Sequence, residues 1–184
     1  MRFSSLSPGV VTLALCVFVT NPVLARDTDL LIGDIGQVLV PAAGLALTYR
    51  HDDPEGRVQW AKTVGTTVVA TEALKYGFDR TDLGRRPNGA TRSFPSGHTS
   101  SACAGSFFIG ERYDWTLAAA GFALSAFTAY SRIDENMHHW RDVIAGCALG
   151  YASARYFVDT RHPAFSVLPV WDRAQHGIAL RYRY

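Results

Sequence analysis

The stretch SRIDENMHHWRD, residues 131–142, lies between two long apolar runs and contains the most informative residues of the chain. His138 and Asp142 stand four residues apart, a spacing that puts two side chains on one face of a helix. A carboxylate one turn away accepts the N–H of one imidazole nitrogen, fixes the tautomer and leaves the other nitrogen free to attack. A lone pair of this kind is more often an ordinary contact on a helix surface. The stretch predicts a nucleophilic histidine only if other segments supply a site for its target.

A second stretch, SFPSGHT at residues 93–99, suits an anion. Pro95 ends the preceding segment, Ser96 is a good N-cap for a following helix, and Gly97 allows the backbone to approach a ligand closely. The N-terminus of a helix presents free N–H groups and the positive end of the helix dipole, which together bind phosphate oxygens. The same residues also describe an ordinary capped helix start, so the pattern gains meaning only in combination.

A third stretch is basic. Lys75 lies at the end of an apolar run, and Arg86 precedes Pro87 in the loop between Phe78 and Pro95. Surface Lys and Arg side chains in loops are usually only solvated. This stretch alone therefore indicates little.

Apolar helical periodicity extends on both sides of these stretches and predicts an all-α, compact bundle of about five helices. An N-terminal apolar segment would make a sixth helix if it is retained. After Pro163 the pattern changes to alternation, which predicts a short C-terminal β-hairpin. The predicted helices are approximately 30–49, 58–77, 97–111, 115–131 and 138–157.

Residues 1–25 have the features of a secretory signal, with Arg2 before an apolar run and a small-residue site that predicts cleavage after Ala25. An uncleaved anchor helix is the alternative. The remainder, 26–184, is one domain by length. We therefore expect the protein in the periplasm or cell envelope.

Hydropathy bears on whether the later helices cross a membrane. A long run after the signal without a charged residue or a histidine is Trp115–Tyr130, with 16 residues, and a spanning helix needs about 20. Mean hydropathy is +0.03. These values favour a periplasmic or peripherally attached bundle. The alternative is a six-helix protein of the inner membrane with Lys75, His98 and His138 on the periplasmic side.

Composition restricts the partners. The chain has 18 basic and 16 acidic residues, and loss of Arg2 with the signal leaves 17 against 16. This balance indicates no nucleic-acid partner. An oxidising compartment would permit a disulfide between Cys103 and Cys147, but both lie in apolar helical runs, which favours buried thiols. Cysteine and histidine spacings match no zinc pattern, and no carboxylate cluster suggests another metal or a cofactor.

Taken together, the three stretches resemble the signature of the type 2 phosphatidic acid phosphatase and vanadium haloperoxidase superfamily. That signature is Lys-x6-Arg-Pro, then Pro-Ser-Gly-His, then Ser-Arg-x5-His-x3-Asp. The second and third parts match without a gap, at 95–98 and 131–142. The resemblance covers roughly residues 58–157.

This resemblance implies a metal-independent phosphatase that acts on a phosphate monoester, lipid or small and soluble, through a phosphohistidine. It makes His138 the nucleophile, Asp142 its orienting partner and His98 the acid that protonates the leaving oxygen. The implied phosphate-binding residues are Lys75, Arg86, Ser96, Gly97 and Arg132.

The first part of the signature departs from the family pattern, because ten residues rather than six separate Lys75 from Arg86. Arg80 could supply the charge in place of Lys75, and Arg85 could compete with Arg86. His139 is an alternative nucleophile, although it lies outside the family register.

Two other functions remain open at this point. A vanadate-dependent haloperoxidase would use the same anion site with His138 as the vanadium ligand, although the chain has no extra domain to shape a halide site. A non-catalytic envelope protein would use the basic loop to bind anionic lipid headgroups.

Overall fold

The computed structural model describes residues 22–160 and two later strands, and it confirms the all-α bundle. The third helix lies at the centre and packs against all four others. In chain order the helices are α1 (Pro22–Arg50), α2 (Pro54–Phe78), α3 (Gly97–Arg112), α4 (Trp115–Asp134) and α5 (Trp140–Phe157).

The strands β1 (Ser166–Asp172) and β2 (Gln175–Arg181) pair antiparallel, with Ser166 opposite Arg181. They form the C-terminal hairpin that the alternating pattern predicted.

The predicted signal mostly precedes the described part of the chain, because residues 1–21 lie outside it. Helix α1 begins at Pro22, so the predicted cleavage position after Ala25 falls within its first turn. Cleavage there stays a prediction. Both the cleaved and the uncleaved protein would keep the part of α1 that packs on the bundle.

The distribution of polarity is inverted at several helix contacts, beside a buried apolar cluster around Phe108. Every fourth residue of α2 from Thr63 through Thr67 to Thr71 is buried, while Val68 and Val69 of the same helix are exposed. Large apolar side chains are likewise exposed on α1 and α5, among them Leu31, Ile35, Val38, Leu39 and Ile144. Small and polar residues at helix contacts, with apolar residues outside, are typical of bundles surrounded by lipid.

Helix α1 is also longer and more apolar than the sequence pattern indicated. Its segment Leu31–Arg50, with mean hydropathy 1.5, is long and apolar enough to cross a bilayer, the one such segment within the described residues. Only about a third of it is buried in the bundle. The expectation that every helix after the signal is short for spanning was therefore wrong for α1.

The expectation of buried thiols was also wrong, because Cys103 of α3 and Cys147 of α5 form a disulfide. The two helices approach closely at Gly146, where an added β-carbon would lie 2.6 Å from the carbonyl oxygen of Ser96. This approach brings the two cysteine Cα atoms to 5.2 Å, within the range that a disulfide requires. The bond joins the two helices whose N-termini carry the motif residues.

A buried ion pair closes the end of the bundle away from those motifs. Asp53, the N-cap of α2, is 2% exposed and accepts from Nε and Nη2 of Arg112 at 2.9 and 2.7 Å. The Tyr113 hydroxyl and the Gly56 N–H also donate to its carboxylate. The Arg112 guanidinium accordingly holds the pKa of Asp53 well below its usual range.

We expect Asp53→Ala to lower the free energy of unfolding by about 3 to 5 kcal/mol, because Arg112 would keep a buried charge without its carboxylate. Since the folded-state pKa is lowered, this stability is present above about pH 4 and is lost as the pH falls. Denaturant unfolding of the purified protein measures the change. Glu55→Ala is the matched control, because Glu55 is 65% exposed, contacts the same guanidinium at 3.5 Å, and should contribute less than about 1 kcal/mol. Equal losses in the two variants would contradict the assignment.

Candidate active site

At the opposite end of the bundle, the motif residues converge on one cavity. Its volume is about 320 Å³, within the usual range for a small-molecule pocket. Helices α1 to α4 and the loops before α3 and α5 all contribute to its wall. Six of the eight sequence-predicted site residues line it, namely Lys75, Arg86, Gly97, His98, Arg132 and His138. The other two, Ser96 and Asp142, are fully buried beside it.

His138 lies in the turn before α5 and is only 3% exposed. Its backbone N–H donates to the carbonyl of Arg132, the last residue of the Ser-Arg pair, which ties the turn to the end of α4. The expectation that His138 and Asp142 share one helix face was wrong. Helix α5 starts at Trp140, because His139 takes the N-cap position and leaves His138 outside the helix.

The pair nevertheless meets. Nδ1 of His138 lies 3.5 Å from Oδ2 of Asp142, longer than an ordinary hydrogen bond but on the side away from Nε2. The same carboxylate oxygen accepts from the hydroxyl of Ser93 at 2.5 Å and from the backbone N–H of His139 at 2.9 Å. These two donors fix Asp142 in place. Ser93 begins the second stretch, but its contact with Asp142 was missed in the sequence because the two residues are 49 apart.

The surroundings of His138 keep its imidazole neutral. Burial, followed by the positive charges of Lys75 and Arg86, lowers its pKa to about 3, against the opposing effect of Asp142. A neutral imidazole has a free lone pair, which a nucleophile needs. The cations that lower this pKa are also those that would bind an anion in the cavity.

The unusual length of the first motif is absorbed by a short 3-10 turn, Asp82–Gly84, between α2 and Arg85. Lys75 and Arg86 therefore still line the same cavity, whereas Arg80 and Arg85 are exposed and do not. The Nζ of Lys75 donates to the carbonyl of Arg92 at 2.8 Å, and burial is the main cause of its lowered pKa.

The second motif forms the predicted helix start. Ser96 is the N-cap of α3, and its hydroxyl accepts from the Thr99 N–H at 3.5 Å. A β-carbon at Gly97 would make ordinary contact with Cε of Lys75 at 3.6 Å, so a methyl group would enter the cavity wall without a clash. Gly97, the first residue of α3, lines the same cavity as the lysine, so the start of the helix and its free N–H groups lie beside that cavity.

Asp34 of α1 is the second residue that sequence reasoning missed. Its Oδ1 lies 2.9 Å from Nε2 of His98 and 2.9 Å from Nη1 of Arg132. Arg132 is 2% exposed, and the His98 side chain is 29% exposed. No local pattern could reveal Asp34, which is 64 and 98 residues away from these partners in the chain.

The side chain of His139, the alternative nucleophile, contacts the loop before α3 rather than the cavity. Its Nε2 donates to the carbonyl of Arg85 at 3.2 Å, and the residue is not part of the cavity wall. Of the two adjacent histidines, the structure thus brings only His138 to the cavity.

Across residues 22–160, no three His, Cys, Asp or Glu side chains cluster in a way that could hold a metal ion. The cavity wall instead combines three cationic side chains, two imidazoles and a helix N-terminus. Such an arrangement favours binding of a tetrahedral oxyanion.

The family follows from residues 57–165, which match the PAP2 superfamily. The match extends over more than half of the chain, so the protein belongs to this superfamily, and the resemblance inferred from the three motifs is confirmed. The matched region begins in α2 and includes every motif, but it excludes α1.

One curated relative is the lipid A 1-phosphatase of Porphyromonas gingivalis, 43% identical over 102 residues. The alignment covers 52% of this chain and 22% of that protein, so the chain spans about a fifth of the relative's length.

Two solved structures share the fold. Aquifex aeolicus LpxE superposes with a TM-score of 0.61 at 20% identity, covering 75% of this chain and 87% of that one. A transmembrane PAP2-type phosphatidylglycerolphosphate phosphatase from Bacillus subtilis gives a TM-score of 0.57 at 18% identity, over 76% and 77% of the two chains. These superpositions include much of the helical bundle and establish the fold.

Proposed function

We propose that the protein is a phosphatase that hydrolyses a phosphate monoester of a membrane lipid, with His138 as the nucleophile. The observation that carries this proposal is the buried, neutral His138, backed by Asp142 and facing a cavity with three cationic side chains. Its relatives support the lipid substrate, since one is named for its action on lipid A and the other for phosphatidylglycerolphosphate.

In the proposed reaction, Nε2 of His138 attacks phosphorus in line with the leaving oxygen. Lys75, Arg86 and Arg132 neutralise the charge that spreads over the other phosphate oxygens, together with the N–H groups at the start of α3. Arginine suits this role because its planar fork binds two oxygens at once. Most of the rate acceleration should come from this preorganised charge.

Asp142 then stabilises the positive charge that forms on His138, and His98 donates a proton to the leaving oxygen. Water subsequently hydrolyses the phosphohistidine, with the now neutral His98 accepting a proton from the attacking water molecule. All of these groups lie at one end of the bundle, so the long apolar part of a lipid would extend along the helices.

The inverted polarity of the bundle supports membrane association in the cell envelope. The outward apolar faces of α1 and α2 would contact acyl chains, and the end of the bundle that holds the cavity would lie among the phosphate headgroups. The proposed location of this end is the periplasmic side, in keeping with the predicted N-terminal signal.

A phosphate-release panel tests the function. Detergent-solubilised protein should release phosphate from lipid A, phosphatidate or an isoprenyl pyrophosphate faster than from small soluble monoesters. Release only from soluble esters would contradict the lipid substrate. Halide oxidation by vanadate-loaded protein without any phosphate release would replace the phosphatase by a haloperoxidase. Salt-sensitive binding of anionic vesicles without hydrolysis would leave only a lipid-binding protein.

We expect phosphatase activity to survive chelation and to be inhibited by vanadate. The cavity supplies positive charge from side chains, and vanadate has the shape and charge of the phosphoryl group at the attacked centre. Initial rates with EDTA, and with increasing orthovanadate, measure the two effects. Loss of activity with EDTA that a divalent ion restores would contradict the proposal.

A further inference from the structure

Helix α1 lies outside the residues that match the family, yet it makes a direct contact with the site. Asp34 places one carboxylate oxygen within 2.9 Å of both His98 Nε2 and Arg132 Nη1. The preceding residue, Gly33, packs so closely on Arg132 that an added β-carbon would lie 2.7 Å from Nη2. Contact at Gly33 leaves α1 little freedom to shift relative to the guanidinium, so the backbone at Asp34 is fixed while its side chain is 53% exposed.

We propose that Asp34 is a positioning residue that holds His98 as the proton donor to the leaving oxygen. This inference rests on the proposed phosphatase function. The carboxylate accepts the Nε2–H of His98 and thereby fixes the ring and its tautomer, as carboxylates do for histidines in other catalytic sites. Arg132, contacted by the same oxygen, fixes the carboxylate in turn.

Since Nε2 of His98 is held by Asp34 at 2.9 Å, the proposal leaves Nδ1 as the nitrogen that transfers the proton. The bond from His138 Nε2 to phosphorus forms while the bond from phosphorus to the ester oxygen breaks. The electron pair of the broken bond stays on that oxygen, which takes the proton from Nδ1 of cationic His98. His98 is left neutral, with its Nε2–H still donated to Asp34.

Electrostatics around His98 supports this role for Asp34. Burial and the positive charge of Arg132 lower the pKa of His98, and Lys75 of α2 acts in the same direction. Asp34 opposes them, through both its charge and its hydrogen bond. Glu72 of α2 and His138 before α5 also line the cavity. Without the Asp34 charge, His98 would lose its proton at a lower pH.

The decisive experiment compares Asp34→Asn with the wild type on an alkyl phosphate and on p-nitrophenyl phosphate. We expect kcat to fall roughly 10- to 100-fold on the alkyl ester, whose leaving group needs a proton, and less than about threefold on the aryl ester. The basic limb of the kcat profile should move to lower pH, because His98 loses its counter-charge. Asp34→Glu should restore part of the alkyl activity. Asp29→Asn is the matched control, since it removes the same charge from α1 five residues before Asp34, which is the residue that contacts His98 and Arg132.

Histidine NMR gives a readout that does not depend on turnover, because Asp34→Asn should lower the pKa of the His98 imidazole. Equal losses on both esters with an unmoved basic limb would mean that Asp34 only supports the fold, which overturns the proposal. Faster turnover with tighter vanadate binding would mean that Asp34 blocks the anion site, which overturns it as well. If the wild-type protein releases no phosphate, the proposed function is wrong. The NMR titration would still decide whether Asp34 raises the pKa of His98.

Discussion

His138→Ala should reduce turnover of every phosphate ester by roughly a thousandfold or more, because it removes the attacking atom. The choice of leaving group should make no difference, since no later step can start without the bond to phosphorus. Turnover of an aryl and an alkyl phosphate measures the effect. A rapid acid quench should trap labelled phosphoenzyme in the wild type and none in the variant.

His139→Ala is the matched control for this result. His139 adjoins the proposed nucleophile in sequence, but its ring donates to the carbonyl of Arg85 and lies outside the cavity wall. A surface contact of this kind contributes about 0.5 kcal/mol, so a change of about two- to threefold is expected. A phosphoenzyme that disappears in His139→Ala and persists in His138→Ala would show that the neighbouring histidine is the nucleophile.

Much of the site could be predicted because its residues occur in three compact stretches whose spacing carries the geometry. Ser96 and His98 belong to one helix start, so their relation is set by local capping. His138 and Asp142 meet although they do not share a helix, because a turn and an N-cap join them. The spacing gave the correct partners and an incorrect local conformation.

The parts that could not be predicted depend on how distant helices pack. Asp34 reaches His98 and Arg132 only because α1 lies against α3 and α4, and no pattern in α1 indicates this. The disulfide between Cys103 and Cys147 depends in the same way on a close contact of α3 and α5 at Gly146. In both cases the local sequence is apolar and helical, and interhelical distance decides the chemistry.

The proposed membrane association illustrates a different limit. The sequence argument counted charge-free runs, and α2 with Lys62 and Glu72 fails that test. The structure shows that its buried face is made of threonines and its exposed face includes Val68 and Val69. The composition of the outward face of a helix, rather than its overall hydropathy, indicates whether lipid surrounds it. The outward face is known only once the packing of the helices is known.

Arg86→Ala and Arg132→Ala should each lower kcat/KM by about 100- to 1000-fold, because each removes one preorganised contact to charge that develops in the transition state. Arg85→Ala should change it by no more than about two- to threefold, as expected for an exposed side chain. Arg85 and Arg86 are adjacent and chemically identical, but only Arg86 lines the cavity, with Nε donating to the carbonyl of Thr91 at 3.0 Å.

Comparison of Arg85→Ala with Arg86→Ala is therefore a controlled test of the loop, because both variants change the net charge equally. Arg132→Lys extends the test, since it keeps the charge at the end of α4 but loses the fork that binds two oxygens. It should recover only part of the activity. Circular dichroism on each variant separates a lost contact from a lost fold, which matters most for the buried Arg132. If folded Arg85→Ala and Arg86→Ala lose equal activity, the 3-10 turn at Asp82–Gly84 does not set the register of the loop in solution. Either guanidinium would then reach the phosphate.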